Sequence, residues 1–270
     1  MYEGCNLEYD IAGTEETVLG LDREEVLDYK NKFYQPKNIS VVVAGVSDGD
    51  VESLVENNFT FENNSEEIED VGTAALGSER IKVQTKDTDQ AQLMLGFPSY
   101  GYGNEDNSVL SVLNKIIGGS MSSKLFTRIR EKMGLAYSIR SGLSKYKDTG
   151  HFYIRAGLDP DNINKAIDEI KNILSKIKEE GVTDKELSDA KTNLQGSAAL
   201  NMEDSSNKAS WVAKRSIYDQ KNSIKTVEDK LDEVKEVSSK DIKRVVNDIF
   251  KLDQMRAAVI GNIDKEDIEL

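Results

Sequence analysis

A stretch of thirty residues occurs twice in this chain. Residues 21–50 (LDREEVLDYKNKFYQPKNISVVVAGVSDGD) align without gaps on residues 237–266 (VSSKDIKRVVNDIFKLDQMRAAVIGNIDKE). Val26 falls on Ile242, Tyr29 on Val245, Phe33 on Ile249, Tyr34 on Phe250, Gly45 on Gly261 and Asp48 on Asp264. Each copy reads as a capped helix, a break, a short β-branched run, a glycine and an acidic turn. In the first copy Asp22 is the N-cap, with Glu25 as its capping-box partner. Ile39 to Ala44 is the β-branched run and reads as a strand buried on both faces. Apolar phase shared over such a length points to two homologous domains, each ending in this unit. Residues 60–79 are acidic, rich in Asn and Gly and without periodicity, and read as a linker. After that linker, 157 residues (80–236) precede the second copy of the unit, whereas only 20 precede the first. The expected organisation is therefore a remnant of a first domain (1–60), an acidic linker (61–79) and a complete second domain (80–270).

The second domain reads as alternating strands and amphipathic helices. Ile81, Val83 and Thr85 alternate, as do Ala91, Leu93, Leu95 and Phe97. Leu135, Tyr137 and Ile139 pair in pattern with Phe152, Ile154, Ala156 and Leu158 across a turn at Lys147–Gly150, which predicts a β-hairpin. Helices are expected at 109–117, ending at Gly118-Gly119 with Ser120 as the next N-cap, and at 125–133, ending at Gly134. A long stripe from Ile163 to Ile177 ends at Gly181, and Thr183 with Glu186 caps the next helix. Further helices cover roughly 205–219, 224–235 and 239–250, before a closing strand at 255–260. The fold class is α+β: a partial first domain followed by a homologous domain of mostly antiparallel sheet packed with helices.

Composition excludes several functions. With 35 Lys+Arg against 49 Asp+Glu the formal charge is −14, which argues against a partner with a phosphate backbone or an anionic membrane surface. No run approaches the length of a membrane span, and the polar N-terminus is no signal peptide. The expected location is the cytoplasm. His151 is the only histidine and Cys5 the only cysteine. A catalytic zinc site of the two-histidine kind therefore has no ligand set here. His151 reads as a hairpin-edge residue, and Cys5 as an exposed or terminal thiol. The Tyr100–Gly103 loop reads as a turn, and the carboxylate-rich run Glu62–Asp70 as a solvated tether, since it lacks calcium-loop spacing.

The segment LSVLNKIIGGSMSSKLFTRIREKMGLAYSIRSGL (110–143) resembles the pitrilysin/insulinase family of zinc metallopeptidases, and looks closest to its processing-peptidase-like branch. Residues 11–45 and 148–162 add supporting matches, in the order the family would give. The resemblance implies a peptidase of two homologous domains. It places the zinc, bound by an inverted His-x-x-Glu-His motif, upstream of the part matched here, so this chain carries no cofactor and the zinc belongs to a missing or partner half. It also implies that Arg130 and Tyr137 contribute substrate binding. A guanidinium can hold a peptide carbonyl and a phenol can donate to a developing oxyanion. Periodicity alone makes Tyr137 a half-buried strand aromatic and Arg130 a surface charge. The functional expectation is the substrate-clamping half of a zinc endopeptidase, inactive alone, whose partners are a peptide or unfolded polypeptide and a zinc-bearing chain or dimer mate. The alternative is a non-catalytic homologue that binds peptides or a subunit. On net charge alone, such a chain favours basic peptides.

Overall fold

The computed structural model describes residues 1–45, 49–59, 74–219 and 224–270. Its strands in chain order are β1 (Tyr2–Glu3), β2 (Ala75–Leu76), β3 (Ile81–Thr85), β4 (Ala91–Ser99), β5 (Ala136–Lys145), β6 (Gly150–Leu158) and β7 (Arg256–Gly261). Its helices are α1 (Glu15–Gly20), α2 (Arg23–Phe33), α3 (Val51–Asn58), α4 (Asn107–Ile117), α5 (Ile163–Glu180), α6 (Asp184–Asn201), α7 (Ser205–Tyr218), α8 (Val227–Glu236) and α9 (Ser239–Ile249). A π-helical stretch, Phe126–Lys132, lies between α4 and β5. The fold is mixed α+β, as the sequence pattern predicts.

Strands β3 to β7 form one sheet in the order β3-β7-β4-β6-β5. Every pairing is antiparallel except β3 with β7. Side chains alternate between the two faces of a strand, so apolar residues at every second position give the sheet one oily face. Leu93, Leu95, Phe97, Phe152, Ile154, Ala156, Ala257 and Val259 supply it and are buried. Helices α4, α5 and α9 cover that face with Leu110, Leu113, Ile117, Ile163, Ile167, Ile170, Val245 and Ile249. Phe250, just past α9, sits edge-on to Phe97 (centroids 5.1 Å) and to Phe152 (5.0 Å). Edge-to-face contact adds to the area these rings bury. Helix α5 stops at Gly181, whose φ of +81° suits a residue without a Cβ.

The duplicated unit repeats in structure as well as in sequence. Helix α2 spans Arg23–Phe33 and α9 spans Ser239–Ile249, the same positions of the alignment. Asp22 and Glu25 form a capping box, and so do Ser238 and Asp241. A short 3-10 turn follows each, Pro36–Asn38 and Leu252–Gln254, again in register. Burial then separates the copies. Ile242, Val245 and Phe250 are 0% exposed, whereas their counterparts Val26, Tyr29 and Tyr34 are 54%, 62% and 58% exposed.

The strand expected at Ile39–Ala44 is not formed; no ladder runs along 39–44 among the described residues. The reason is nonlocal. The corresponding β7 is held by β3 on one side and β4 on the other, and no strand of the described residues lies beside 39–44. A strand without a neighbour has no ladder to satisfy its backbone. One tie from this region to the sheet-bearing body is Ser216 Oγ to Ser40 Oγ at 2.5 Å, from α7.

The N-terminus departs from expectation too. Strand β1 pairs antiparallel with β2, and Gly77 N–H donates to the Met1 carbonyl. This lays residues 1–3 against the sheet and leaves Cys5 buried, not exposed. Residues 61–73 of the predicted linker, with the whole acidic run Glu62–Asp70, and the turn residues 46–48 lie outside the described residues. Beyond them, Ala75–Leu76 is paired strand and not free tether.

Removing the Phe250 ring opens a void between Phe97 and Phe152, so Phe250→Ala is expected to cost about 3–5 kcal/mol in a urea titration. Tyr34→Ala, at the matching position of the first copy, is expected to change stability by less than about 0.5 kcal/mol. Limited proteolysis should cleave within 39–45 before any site in β3–β7.

Candidate functional site

Arg130 and Tyr137 lie on neighbouring elements at the β5 edge of the sheet. Ile129 is buried and anchors the π-helical stretch, while Arg128 Nε donates to Glu169 Oε1 of α5 at 2.7 Å. Arg130, next along, is exposed. Its guanidinium stands 4.8 Å from the Phe126 ring centroid and has no carboxylate partner among the described residues. The π geometry is visible where Met133 N–H donates to the Arg128 carbonyl, five residues back. Such wide turns are rare and recur at functional sites. Gly134, at φ +62°, reverses the chain into β5.

Tyr137 escapes the expected strand phase. Ala136 pairs with Leu158 and Ser138 with Gly157, so Tyr137 is the extra residue of a β-bulge. Ala136 and Ile139 point inward and are buried; Tyr137 and Ser138 are both exposed, Tyr137 at 60%. The half-buried aromatic that simple alternation predicts is thus corrected by the bulge, which re-aims a side chain.

The neighbouring glycine pair serves packing. Gly118 N–H caps α4 on the Asn114 carbonyl, and the Gly118 carbonyl accepts from Ser141 N–H of β5 at 3.1 Å. A Cβ on Gly118 would stand 2.6 Å from Ser141 N. Ser120 is not the N-cap the sequence suggests. Its hydroxyl turns back to the Lys115 carbonyl, and the next helical hydrogen bond runs from Thr127 N–H to the Ser123 carbonyl.

The donor set does not fit a catalytic zinc. Among the described residues no three His, Cys, Asp or Glu side chains converge. The one imidazole is already occupied: His151 Nδ1 and the Tyr2 hydroxyl are 2.8 Å apart, and Tyr146 and Tyr153 stand beside the ring. What Arg130 and Tyr137 offer is hydrogen-bond donation and a positive charge at a sheet edge, with no metal ligand among them.

The face of the sheet away from the helices carries a charge pattern the sequence reading did not single out. Lys82, Arg140, Arg155 and Arg256 occupy its strand positions, and no Asp or Glu does. Arg140 and Arg155 are direct cross-strand partners. Tyr153 lies across Gly142, where a Cβ would meet the ring at 2.4 Å. At the opposite end, a cleft of about 370 Å³ between the face and the N-terminal segment is lined by Met1, Tyr2, Met94, His151 and Arg256.

Burial, and secondarily the charge of the N-terminal amine, lowers the His151 pKa below its ordinary 6.5. The folded chain then binds fewer protons than the unfolded one in this window, so stability rises with pH and is lost as pH falls through the folded value. As His151 is the sole imidazole, urea unfolding at pH 7.5 and 5.5 should show this loss in the wild type. The His151→Gln variant should lack that component.

The family model described as the peptidase M16 inactive domain matches residues 20–194. An uncharacterized zinc protease of Bacillus subtilis, YmxG, is 31% identical over 265 residues, covering 96% of this chain and 62% of its own. A protease from Helicobacter pylori superposes with a TM-score of 0.82 at 24% identity, over 92% of this chain and 61% of that one. A chain of the complex III2 structure from Candida albicans reaches 0.81 at 16% identity, over 98% and 65%. The chain thus spans about three fifths of the length of the relatives it matches.

Proposed function

This chain belongs to the M16 peptidase family, the pitrilysin and insulinase type, and from that premise we propose that it is the substrate-clamping portion of a zinc-dependent endopeptidase. The zinc-binding portion is then supplied by sequence outside these 270 residues, in the same polypeptide or in a partner. The observation that carries this reading is the exposure of two donors, Arg130 on the π-helical stretch and Tyr137 on the β-bulge, beside an edge strand. A guanidinium without a carboxylate partner is available to a substrate carbonyl. A phenol lifted out of the strand is available to the oxyanion that develops when a peptide bond is attacked. An extended polypeptide lying along β5 takes affinity from main-chain hydrogen bonds, so the substrate is unfolded or flexible polypeptide of varied sequence.

Residues 1–60 fit this reading as the remnant of the first domain. Their exposed Val26, Tyr29, Tyr34, Val41 and Val43 are the surface that the rest of that domain buries. The same exposed residues favour a second reading, a non-catalytic homologue that docks a subunit. No helix of the described residues is long and apolar enough to cross a membrane, and the proposed place of action is the cytoplasm.

Mixing this chain with a separately produced zinc-bearing portion is expected to restore hydrolysis of an unstructured polypeptide that neither part cleaves alone. In that mixture Tyr137→Phe should lower kcat by roughly 10²–10³ with little change in binding. Arg130→Ala should weaken peptide binding by about tenfold. Both variants behaving as wild type would sink the assignment of these residues. A stable complex that binds peptide and never hydrolyses it would favour the subunit-binding reading.

A further inference from the structure

We propose that Arg140 and Arg155 form a carboxylate-recognition site on the open face of the sheet, taking an acidic side chain or the C-terminal carboxylate of an extended peptide. The inference rests on the reading above, that peptide lies along β5, and adds a preference for acidic sequence.

Three observations carry it. The first is the register. Arg140 of β5 faces Arg155 of β6 directly, and residues so placed have their Cβ atoms about 5 Å apart, where like charges repel. Proteins usually relieve such a pair with a carboxylate. Neither guanidinium has a hydrogen bond or ion pair with any side chain among the described residues, and both are exposed.

The second is charge segregation. The chain carries 49 acidic residues, yet none occupies an open-face strand position. The other two cations of that face are differently placed. Arg256 donates to the Gly77 carbonyl at 2.9 and 2.7 Å, and Lys82 is on the far edge strand β3. The unpaired positive charge therefore concentrates on the β5–β6 side, where the local field opposes the net charge of −14.

The third is spacing. Ser138 Oγ and Gln92 Nε2 gather over Gly157, 3.1 and 3.2 Å from where a Cβ would stand, and add polar contacts beside Arg155. Along β5, Arg140 follows Tyr137 by three residues, about 10 Å of extended chain. A peptide with one carbonyl at Tyr137 presents a carboxylate to the arginine pair two or three residues further on. Arginine suits this role, because its planar fork meets a carboxylate with two parallel hydrogen bonds.

The test uses the full chain and fluorescence anisotropy. Its probes are extended peptides of one length: acidic and amidated, basic and amidated, and neutral with a free C-terminus. The wild type is expected to bind an anionic probe about tenfold tighter than the basic one, with the gap narrowing as salt is raised. The Arg140→Gln/Arg155→Gln double variant should lose that preference, Arg140→Lys/Arg155→Lys should keep most of it, and Lys240→Gln on α9 should leave it intact. Circular dichroism and the urea midpoint confirm that each variant is folded. If the acidic amidated probe depends on the pair, the ligand is a side chain; if only the free-acid probe does, it is a chain terminus. Tighter binding of the basic probe, or a preference unchanged in the double glutamine variant, overturns the inference. Equal binding of all probes, with Arg130→Ala still weakening it, overturns this site and leaves the clamp reading standing. Absence of any binding overturns both.

Discussion

The ring of Phe250, held edge-on between Phe97 and Phe152, pins the inward faces of the two central strands that carry those rings, β4 and β6. It joins the end of α9 to β4 and β6 at once, and a strand has only two side-chain phases. With Phe97 and Phe152 inward, Ile154 and Leu95 follow inward, and Arg155 and Met94 must point out. The outward set is thus settled by packing on the opposite side. Arg155 on the open face, and Arg140 opposite it in register, agree with that inward set.

The duplicated unit separates local from nonlocal causes of structure. Two sequences that share few identical residues form helices with matched ends, matched capping boxes and matched 3-10 turns. Those features follow from side chains within four residues of one another; the Asp22–Glu25 cap and the helix at 239–250 were legible in sequence to within a residue, while the second cap's residues and the 3-10 turns were not singled out. The strand after each turn is different. Val259 is in a ladder because β3 and β4 flank it, whereas Val43 has the same β propensity and no neighbouring strand among the described residues. Hydrophobic pattern marks what a segment is suited to, and only the presence of partners makes it a strand. Cys5 is the opposite case. Its burial depends on β1 meeting β2 across more than seventy residues, and no local pattern announces a two-residue strand.

The candidate site was legible in unequal parts. Arg130 and Tyr137 emerge from a family pattern, since neither the π-helical stretch nor the bulge leaves a mark on periodicity. Period-two counting in fact puts Tyr137 in phase with Leu135 and Ile139. One residue too many in β5 reverses that conclusion without altering any apolar position downstream. Arg140 and Arg155 were available to a closer reading. Each follows an isoleucine in one arm of the hairpin, and counting outward from the turn at 147–148 brings the two arginines level, with Ile139 opposite Ala156 and Ile154 opposite Ser141. Net charge does not describe this face, because it averages the whole chain with a sheet face whose strand positions carry no acid.

The bulge at Tyr137 also makes the exposed phenol separable from the scaffold. Ala136 and Ser138 already pair with consecutive partners on β6, Leu158 and Gly157, so the tyrosine is an addition to a ladder that is complete without it. Deleting that codon would close β5 into a regular strand, leave Ala136 and Ile139 in the core, and keep the arginines opposite each other. A lineage can therefore shed the phenol in one in-frame step and keep a folded domain. The genetic distance between a β5 that presents this phenol and one that does not is a single residue of strand length.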